Sequence, residues 1–180
     1  TYRTEPTGAG VAHALGVQEV RPIDLVTAYG TLGNQGKYIP YTTILTVTDQ
    51  QGNDVAPPYT QPEGTQAATP QASYIVTNIL AGNTVKSINP YWGEFGITNE
   101  AGEHRPATLK TGTNNDAKDL NAYGFIAPPT SDGPAAGEDA LAVGAWNGKR
   151  DNPLVSTAAD PPFPIAVPTI VDRRCTSRVA

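Results

Sequence analysis

Cysteine, methionine, histidine and charge are all scarce in this chain, and each scarcity removes a class of explanation. One cysteine, Cys175, leaves no internal disulfide possible. Together with two histidines, His13 and His104, it falls short of the ligand set of a structural zinc site, and no metal or other cofactor is implied. Charged residues make up 16% of the chain, with a formal net charge of −5. That acidic balance argues against nucleic-acid binding, which needs a basic patch to meet phosphates, and against adhesion to anionic lipid. No apolar run approaches the roughly 18 residues that cross a bilayer, and the N-terminus carries no basic-then-apolar leader. Methionine is absent everywhere, including position 1. A fragment or processed product is therefore expected rather than a complete cytosolic protein.

What is abundant is turn-forming residues. Gly (18) and Pro (17), with much Thr, Asn and Gln, point to long connections rather than a helix bundle. Arg21-Pro22-Ile23-Asp24 opens a helix with proline at an early position, and Ile23, Val26, Ala28, Tyr29 and Leu32 form a stripe at helical spacing. Gly33, Asn34 and Gly36 stop it. Residues 38 to 48 alternate as a β-rich segment, and the turn at 49 to 54 predicts a hairpin. Residues 56 to 70, with four prolines, read as loop. A second helix is expected over 71 to 81, with Ile75, Val76, Ile79 and Leu80 as its buried face, followed by a loop over 83 to 105. Three strands are expected at 107–113, 121–127 and 139–147, the last apolar enough for a central strand covered on both faces. Residues 128 to 138 would join the last two as a long hairpin loop, and the tail from 153, with five prolines, reads as irregular.

The chemistry concentrates at Lys110-Thr111-Gly112-Thr113, at the end of the first of those three strands. A strand lysine offers a fixed cation at the rim of a cleft, and Thr111 and Thr113 add hydroxyls able to hydrogen-bond a carboxylate. Gly112 lets another backbone or a ligand approach closely. A free backbone N–H here can stabilise an oxyanion. Read on its own, the tetrapeptide is equally a solvated strand end. Lys-Thr-Gly on a strand is one of three signature elements of serine enzymes that react with penicillin.

Four stretches in the right order extend the match. Leu15-Gly16-Val17-Gln18-Glu19-Val20-Arg21-Pro22-Ile23-Asp24-Leu25 resembles the helix entry of the bifunctional (glycosyltransferase/transpeptidase) penicillin-binding proteins. Asn34-Gln35-Gly36 through Pro40 resembles their next stretch, Lys110 to Asp119 their Lys-Thr-Gly-Thr-Thr-x-Asp-x-x-Asp, and Val143-Gly144-Ala145-Trp146-Asn147-Gly148 their Val-Gly-Val-Trp-x-Gly strand. The resemblance covers about residues 11 to 152. It implies an α+β fold, the C-terminal part of a β-lactamase/transpeptidase-like domain, with helices packed on an antiparallel sheet. Residues 1–152 would form that portion and 153–180 a Pro-rich tail.

The activity implied is that of a serine D,D-transpeptidase cross-linking peptidoglycan stem peptides and acylated by β-lactams. Lys110, Thr111, Gly112 and Thr113 would bind the substrate, and the Thr113 backbone N–H would form half of the oxyanion hole. The implied location is the bacterial cell envelope, on the outer side of the cytoplasmic membrane, with an anchor expected upstream.

The family's nucleophile lies in Ser-x-x-Lys. None of the five serines (Ser73, Ser87, Ser131, Ser156, Ser177) has lysine three positions on, so the chain is expected to be inactive alone. Ser87-Ile88-Asn89 matches the second element, Ser-x-Asn, in form, but lies only 23 positions before Lys110, far closer than in the family, and is set aside. Asn121 stands where the family usually has tryptophan, and the tail after 155 lacks a counterpart to the family's terminal helix. Two rival readings follow: a non-catalytic transpeptidase-like module that binds peptidoglycan or a protein partner, and a fragment of a related β-lactamase or carboxypeptidase. His104 reads as a solvated loop residue. Trp92 and Trp146 are large enough to stack on sugars, and burial is the expected role of Trp146.

Overall fold

A computed structural model describes residues 11, 16, 19–98, 101–113, 119–126 and 140–148. Helix α1, Pro22–Gly33, starts on proline and is steadied by the Arg21–Asp24 ion pair at 2.6 Å. The short strand β1, Lys37–Tyr38, pairs antiparallel with β2, Thr65–Gln66. Helix α2, Pro70–Gly82, is capped by Thr69, whose side chain accepts from the Ala72 N–H at 3.2 Å. A 3₁₀ turn at Trp92–Phe95 precedes β3, Lys110–Thr113, β4, Asp119–Ile126, and β5, Leu141–Gly148. These last three form one antiparallel sheet in the order β3-β4-β5. The fold is α+β, an antiparallel sheet with helices, as expected.

The core follows from that order. β4 is flanked on both sides, and Ala122, Tyr123, Phe125 and Ile126 are buried, joined by Ala107 and Leu109. Helix α1 lies across one face of β4 and β5. Tyr29 stacks on Tyr123 with ring centroids 5.9 Å apart, and a Cβ placed on Gly33 would stand 3.1 Å from the Phe125 ring.

Several expectations change. The strand predicted at 107–113 is regular only from Lys110. Ala107 pairs with Ile126 in the same register, but between them the Thr108 hydroxyl accepts from the Phe125 N–H at 2.9 Å. Gly124 faces this stretch, and a Cβ there would collide with the Thr108 carbonyl, so close approach requires glycine. β5 is an edge rather than a central strand among the described residues, with Leu141 45% and Trp146 52% exposed. The expected burial of Trp146 therefore fails. The apolar run of β5 reads like a doubly covered strand, yet among the described residues only β4 pairs with it.

The second helix is where expected, but its burial is not. Ile75 is 58% and Ile79 67% exposed, Val76 is exposed as well, and the fully buried residue is Ser73. The helix leans on the Gly36 bend through Ser73, which points the Ile75–Ile79 row outward. Of the β-rich segment 38–48 only Tyr38 lies in a strand, as the second residue of β1. Its partner β2 lies in the stretch read as loop. The hairpin survives as one bridge, Thr48 to Asp54, with the Val55 N–H donating to Val47 O (2.9 Å) and the Tyr59 N–H to Leu45 O (3.0 Å). Tyr41, Ile44, Leu45 and Val47 stay exposed. In α1, Val26, Tyr29 and Leu32 are half-buried, whereas Ile23 and Ala28 are exposed. The predicted loop 128–138, the tail from 153, His13, Cys175, Ser131, Ser156 and Ser177 lie outside the described residues.

Candidate functional site

The site is built from the C-terminal end of α2 and the strand that follows 27 residues later. Antiparallel strands alternate residues that bond the neighbour with residues that turn their backbone groups away. The Thr108 N–H donates to Phe125 O at 2.8 Å. Continuing the register, Lys110 and Gly112 bond β4 opposite Tyr123 and Asn121, while Leu109, Thr111 and Thr113 turn their N–H and C=O groups to the free edge. The edge groups of Leu109 are taken by α2. Its N–H donates to Leu80 O (3.3 Å), and its carbonyl accepts from the Asn83 carboxamide (2.7 Å). The next edge-facing residues are Thr111 and Thr113.

The side chains alternate independently of this. Lys110 and Gly112 share the face of Tyr123 and Asn121, and Thr111 and Thr113 the opposite face. Lys110 is exposed, and its ammonium donates to the Thr111 carbonyl at 2.8 Å. The Asn121 carboxamide lies directly over Gly112, and a Cβ there would stand 2.5 Å from Asn121 Oδ1. A side chain at 112 would require the Asn121 carboxamide to move aside. Burial pushes the Tyr123 phenol, opposite Lys110, above its ordinary range.

Beside Lys110 is a polar notch of about 160 Å³ walled by Asn83, Asn89, Trp92, Leu109, Lys110 and Thr111. A relay of carboxamides forms its inner wall. Asn89 Nδ2 donates to Asn83 Oδ1 (3.1 Å), and Asn89 Oδ1 accepts from the Trp92 backbone N–H (3.1 Å). Trp92 packs edge-to-face on Tyr91. A larger hollow of about 610 Å³ lies between the C-terminal end of α1 and α2, walled in part by Leu32, Tyr74, Ile75 and Phe125. Among the described residues its walls hold no Asp, Glu, Lys, Arg or His.

All four sequence-predicted residues, Lys110 to Thr113, sit together on a strand that is at the sheet edge among the described residues, with the Thr113 backbone N–H on the side away from β4. Ser87 is exposed in a turn and is not part of the notch, whereas Asn89 of the same formal Ser-x-Asn match lines it. The sequence reading missed Asn83, the first residue of the stretch read as loop, because its partner lies 26 residues away and no local pattern points to it. His104 is exposed as expected, but it forms an isolated bridge with Thr98, and its Nε2 lies 2.8 Å from Thr84 O. Among the described residues no cluster of three metal-ligating side chains occurs, and no helix is long and apolar enough to cross a membrane.

Comparison with known proteins agrees with the resemblance seen in the sequence. The chain is 29% identical over 148 residues to penicillin-binding protein 2D of Bacillus subtilis (strain 168). The match covers 82% of this chain and 19% of that protein, so the chain spans about a fifth of the length of its curated relative. In structure it is similar to PBPA from Mycobacterium tuberculosis, with a TM-score of 0.51 and 15% identity, covering 78% of this chain and 30% of that one. No family model matches. The chain thus has a transpeptidase-like fold of the kind found in penicillin-binding proteins.

Proposed function

From that kinship we propose that the chain supplies the Lys-Thr-Gly wall of a penicillin-binding serine D,D-transpeptidase. Residues 1–152 would form part of the transpeptidase domain and 153–180 an irregular tail. The observation that carries the reading is an edge strand bearing Lys110-Thr111-Gly112-Thr113, with the backbone groups of Thr111 and Thr113 facing an open edge. The Lys110 ammonium and the hydroxyls of Thr111 and Thr113 would hold the carboxylate of a stem peptide or β-lactam. The Thr113 N–H would donate to the oxygen that becomes an oxyanion.

The nucleophile would come from outside these 180 residues, since no Ser-x-x-Lys occurs in them. Its serine oxygen would attack the D-Ala-D-Ala carbonyl, and the C–N bond would break as the terminal D-Ala leaves as an amine, taking a proton. The acyl-enzyme would then pass its acyl group to an acceptor amine, freeing the serine. Peptidoglycan stem peptides and β-lactams would be the ligands and the outer side of the cytoplasmic membrane the place of action. The missing Ser-x-x-Lys is the one observation that favours the second reading, a non-catalytic module of the same fold that holds peptidoglycan or a protein partner.

Fluorescent penicillin, read by intact mass, separates the two. The 180-residue chain is expected to stay unlabelled, and the full-length polypeptide that contains it to take one label. Labelling of neither supports the module. Labelling of the short chain would place a nucleophile among its five serines and overturn the assignment. In the full-length polypeptide Lys110→Ala should lower the acylation rate about ten- to a hundredfold, the worth of a charge-assisted hydrogen bond. Unchanged acylation would remove the role given to Lys110.

A further inference from the structure

The end of α2 grips the chain at the point where β3 becomes available to a ligand. Three contacts make the grip. The Leu80 carbonyl accepts from the Leu109 N–H (3.3 Å), the Asn83 carboxamide donates to the Leu109 carbonyl (2.7 Å), and the Thr84 hydroxyl donates to the Ala107 carbonyl (3.0 Å). The first needs no particular side chain. The last lies three residues before Lys110. Asn83 is the side chain that acts on the residue adjoining Lys110.

The helix does not require asparagine at this position. Asn83 ends α2 with φ −68° and ψ −20°, ordinary right-handed helical geometry open to any residue, and its backbone N–H makes the capping bonds. Its side chain is committed elsewhere, donating to Leu109 and accepting from Asn89, which in turn holds the Trp92 N–H. That relay ties together the helix end, the 3₁₀ turn and the approach to β3. It also forms the wall of the notch that Lys110 and Thr111 complete.

Resting on the function proposed above, we propose that Asn83, supported by Asn89, is a positioning residue for Lys110 and Thr111. By occupying the edge carbonyl of Leu109, Asn83 closes the strand edge up to residue 109 and leaves the Thr111 N–H as the first edge-facing backbone donor open to a peptide, beside the Thr111 carbonyl on which the Lys110 ammonium rests. It also fixes the strand from which the ammonium projects. The role differs from general support of α2, because the bond acts on β3 and not on the helix.

The test uses the full-length polypeptide and fluorescent penicillin, separating initial affinity from the rate of acylation. Asn83→Ala should weaken the initial affinity about fivefold, the cost of one lost hydrogen bond, with a smaller change in the acylation step. Asn89→Ala should act in the same direction and less. Asn83→Asp gives a signature of its own. Its carboxylate repels the Leu109 carbonyl at neutral pH, whereas the protonated acid can donate, so affinity should recover as pH falls through the carboxyl titration. Thr69→Ala is the control, loosening α2 by removing its N-cap without touching Leu109.

Affinity unchanged in Asn83→Ala, or reduced no more than in Thr69→Ala, overturns the inference while leaving the proposed function in place. An Asn83→Asp variant without pH-dependent recovery overturns it as well. Failure of the unsubstituted protein to label removes the proposed function and this inference with it.

Discussion

Residues 119–126 and residues 38–48 both carry β-rich patterns, and they end up in different states. The first is β4, eight residues paired on both sides and covered by α1 on one face. The second contributes only Tyr38 to a strand and one bridge at Thr48, and leaves Tyr41, Ile44, Leu45 and Val47 exposed. Strand propensity is higher in the second, where Tyr, Ile, Thr and Val dominate, than in the first, which holds Asp119, Asn121 and Gly124. They differ in what stands beside and above them, since β propensity measures fit to a half-buried surface rather than a backbone preference. Among the described residues the apolar side chains of the hairpin around the turn at Asp49 stay exposed, and a lone hairpin is marginal in water.

The sharpest way to break this comparison is to cut the same kind of side chain in both regions. Phe125→Ala removes a buried ring that packs beneath Gly33 and should cost about 3–5 kcal/mol. Leu45→Ala removes an exposed side chain and should cost under about 0.5 kcal/mol. Thermal or urea melts of the 180-residue chain give both numbers. Comparable losses would mean that the hairpin is packed in solution and that the contrast drawn here is wrong.

A second probe adds volume instead of removing it. Gly124→Ala puts a methyl group against the Thr108 carbonyl, where β4 and the approach to β3 lie closest. It should cost about 1–3 kcal/mol, as overpacking does. Because residue 108 leads into β3, the loss should also show as faster amide exchange at Leu109 and Lys110. A stable variant with unchanged exchange would show that this approach has room to spare.

The same contrast explains what could be read from the sequence. Both helices and the three sheet strands were legible, because 3.6- and 2-residue periodicities and the Gly/Pro punctuation are local signals; the order of the strands was not, since the apolar run of 139–147 suggested a central strand and β4 takes that place. The Lys110–Thr113 strand was legible for the same reason. Burial was not. Ile75 and Ile79 look like a core row but face outward, because the side that α2 turns inward is set by Ser73 against the Gly36 bend. β2 was hidden in a proline-rich stretch because it exists only where the Gln66 carboxamide reaches Gln35 O (2.9 Å) and Ala68 O (2.6 Å). Asn83 was hidden because its role depends on a contact across 26 residues.

A smaller effect should appear at high pH in the packed region. Burial raises the Tyr29 phenol above its ordinary value of 10.0, with the Tyr123 phenol beside it adding to the shift, and burial raises Tyr123 too. A group whose folded value is raised contributes stability that is intact below the unfolded value and lost as pH climbs through the folded one. Stability should therefore hold up to about pH 10 and fall above it. Phenolate absorbance should show two tyrosines titrating late. Tyr123→Phe should flatten the alkaline fall, and an unaltered fall would assign it elsewhere.

The smallest effect belongs to the open region and runs the other way in pH. The Asp49 carboxylate accepts from the Asn53 carboxamide at 3.0 Å, from the Asn53 N–H at 2.8 Å and from the Gln51 N–H at 2.9 Å, which holds it below its ordinary value of 3.8. A depressed folded value means that the contribution is present above the unfolded value and lost as pH falls through the folded one. Acid should therefore loosen residues 45–59 at a pH where β3, β4 and β5 still hold. The readout is amide exchange or NMR shifts at Asn53 and Val55, whose N–H groups serve this turn and its bridge. Asp49→Asn keeps one acceptor oxygen and removes the titration, so it should abolish the local pH dependence with little change to the melt. If the hairpin and the sheet lose protection together, the two regions form a single cooperative unit despite their difference in burial.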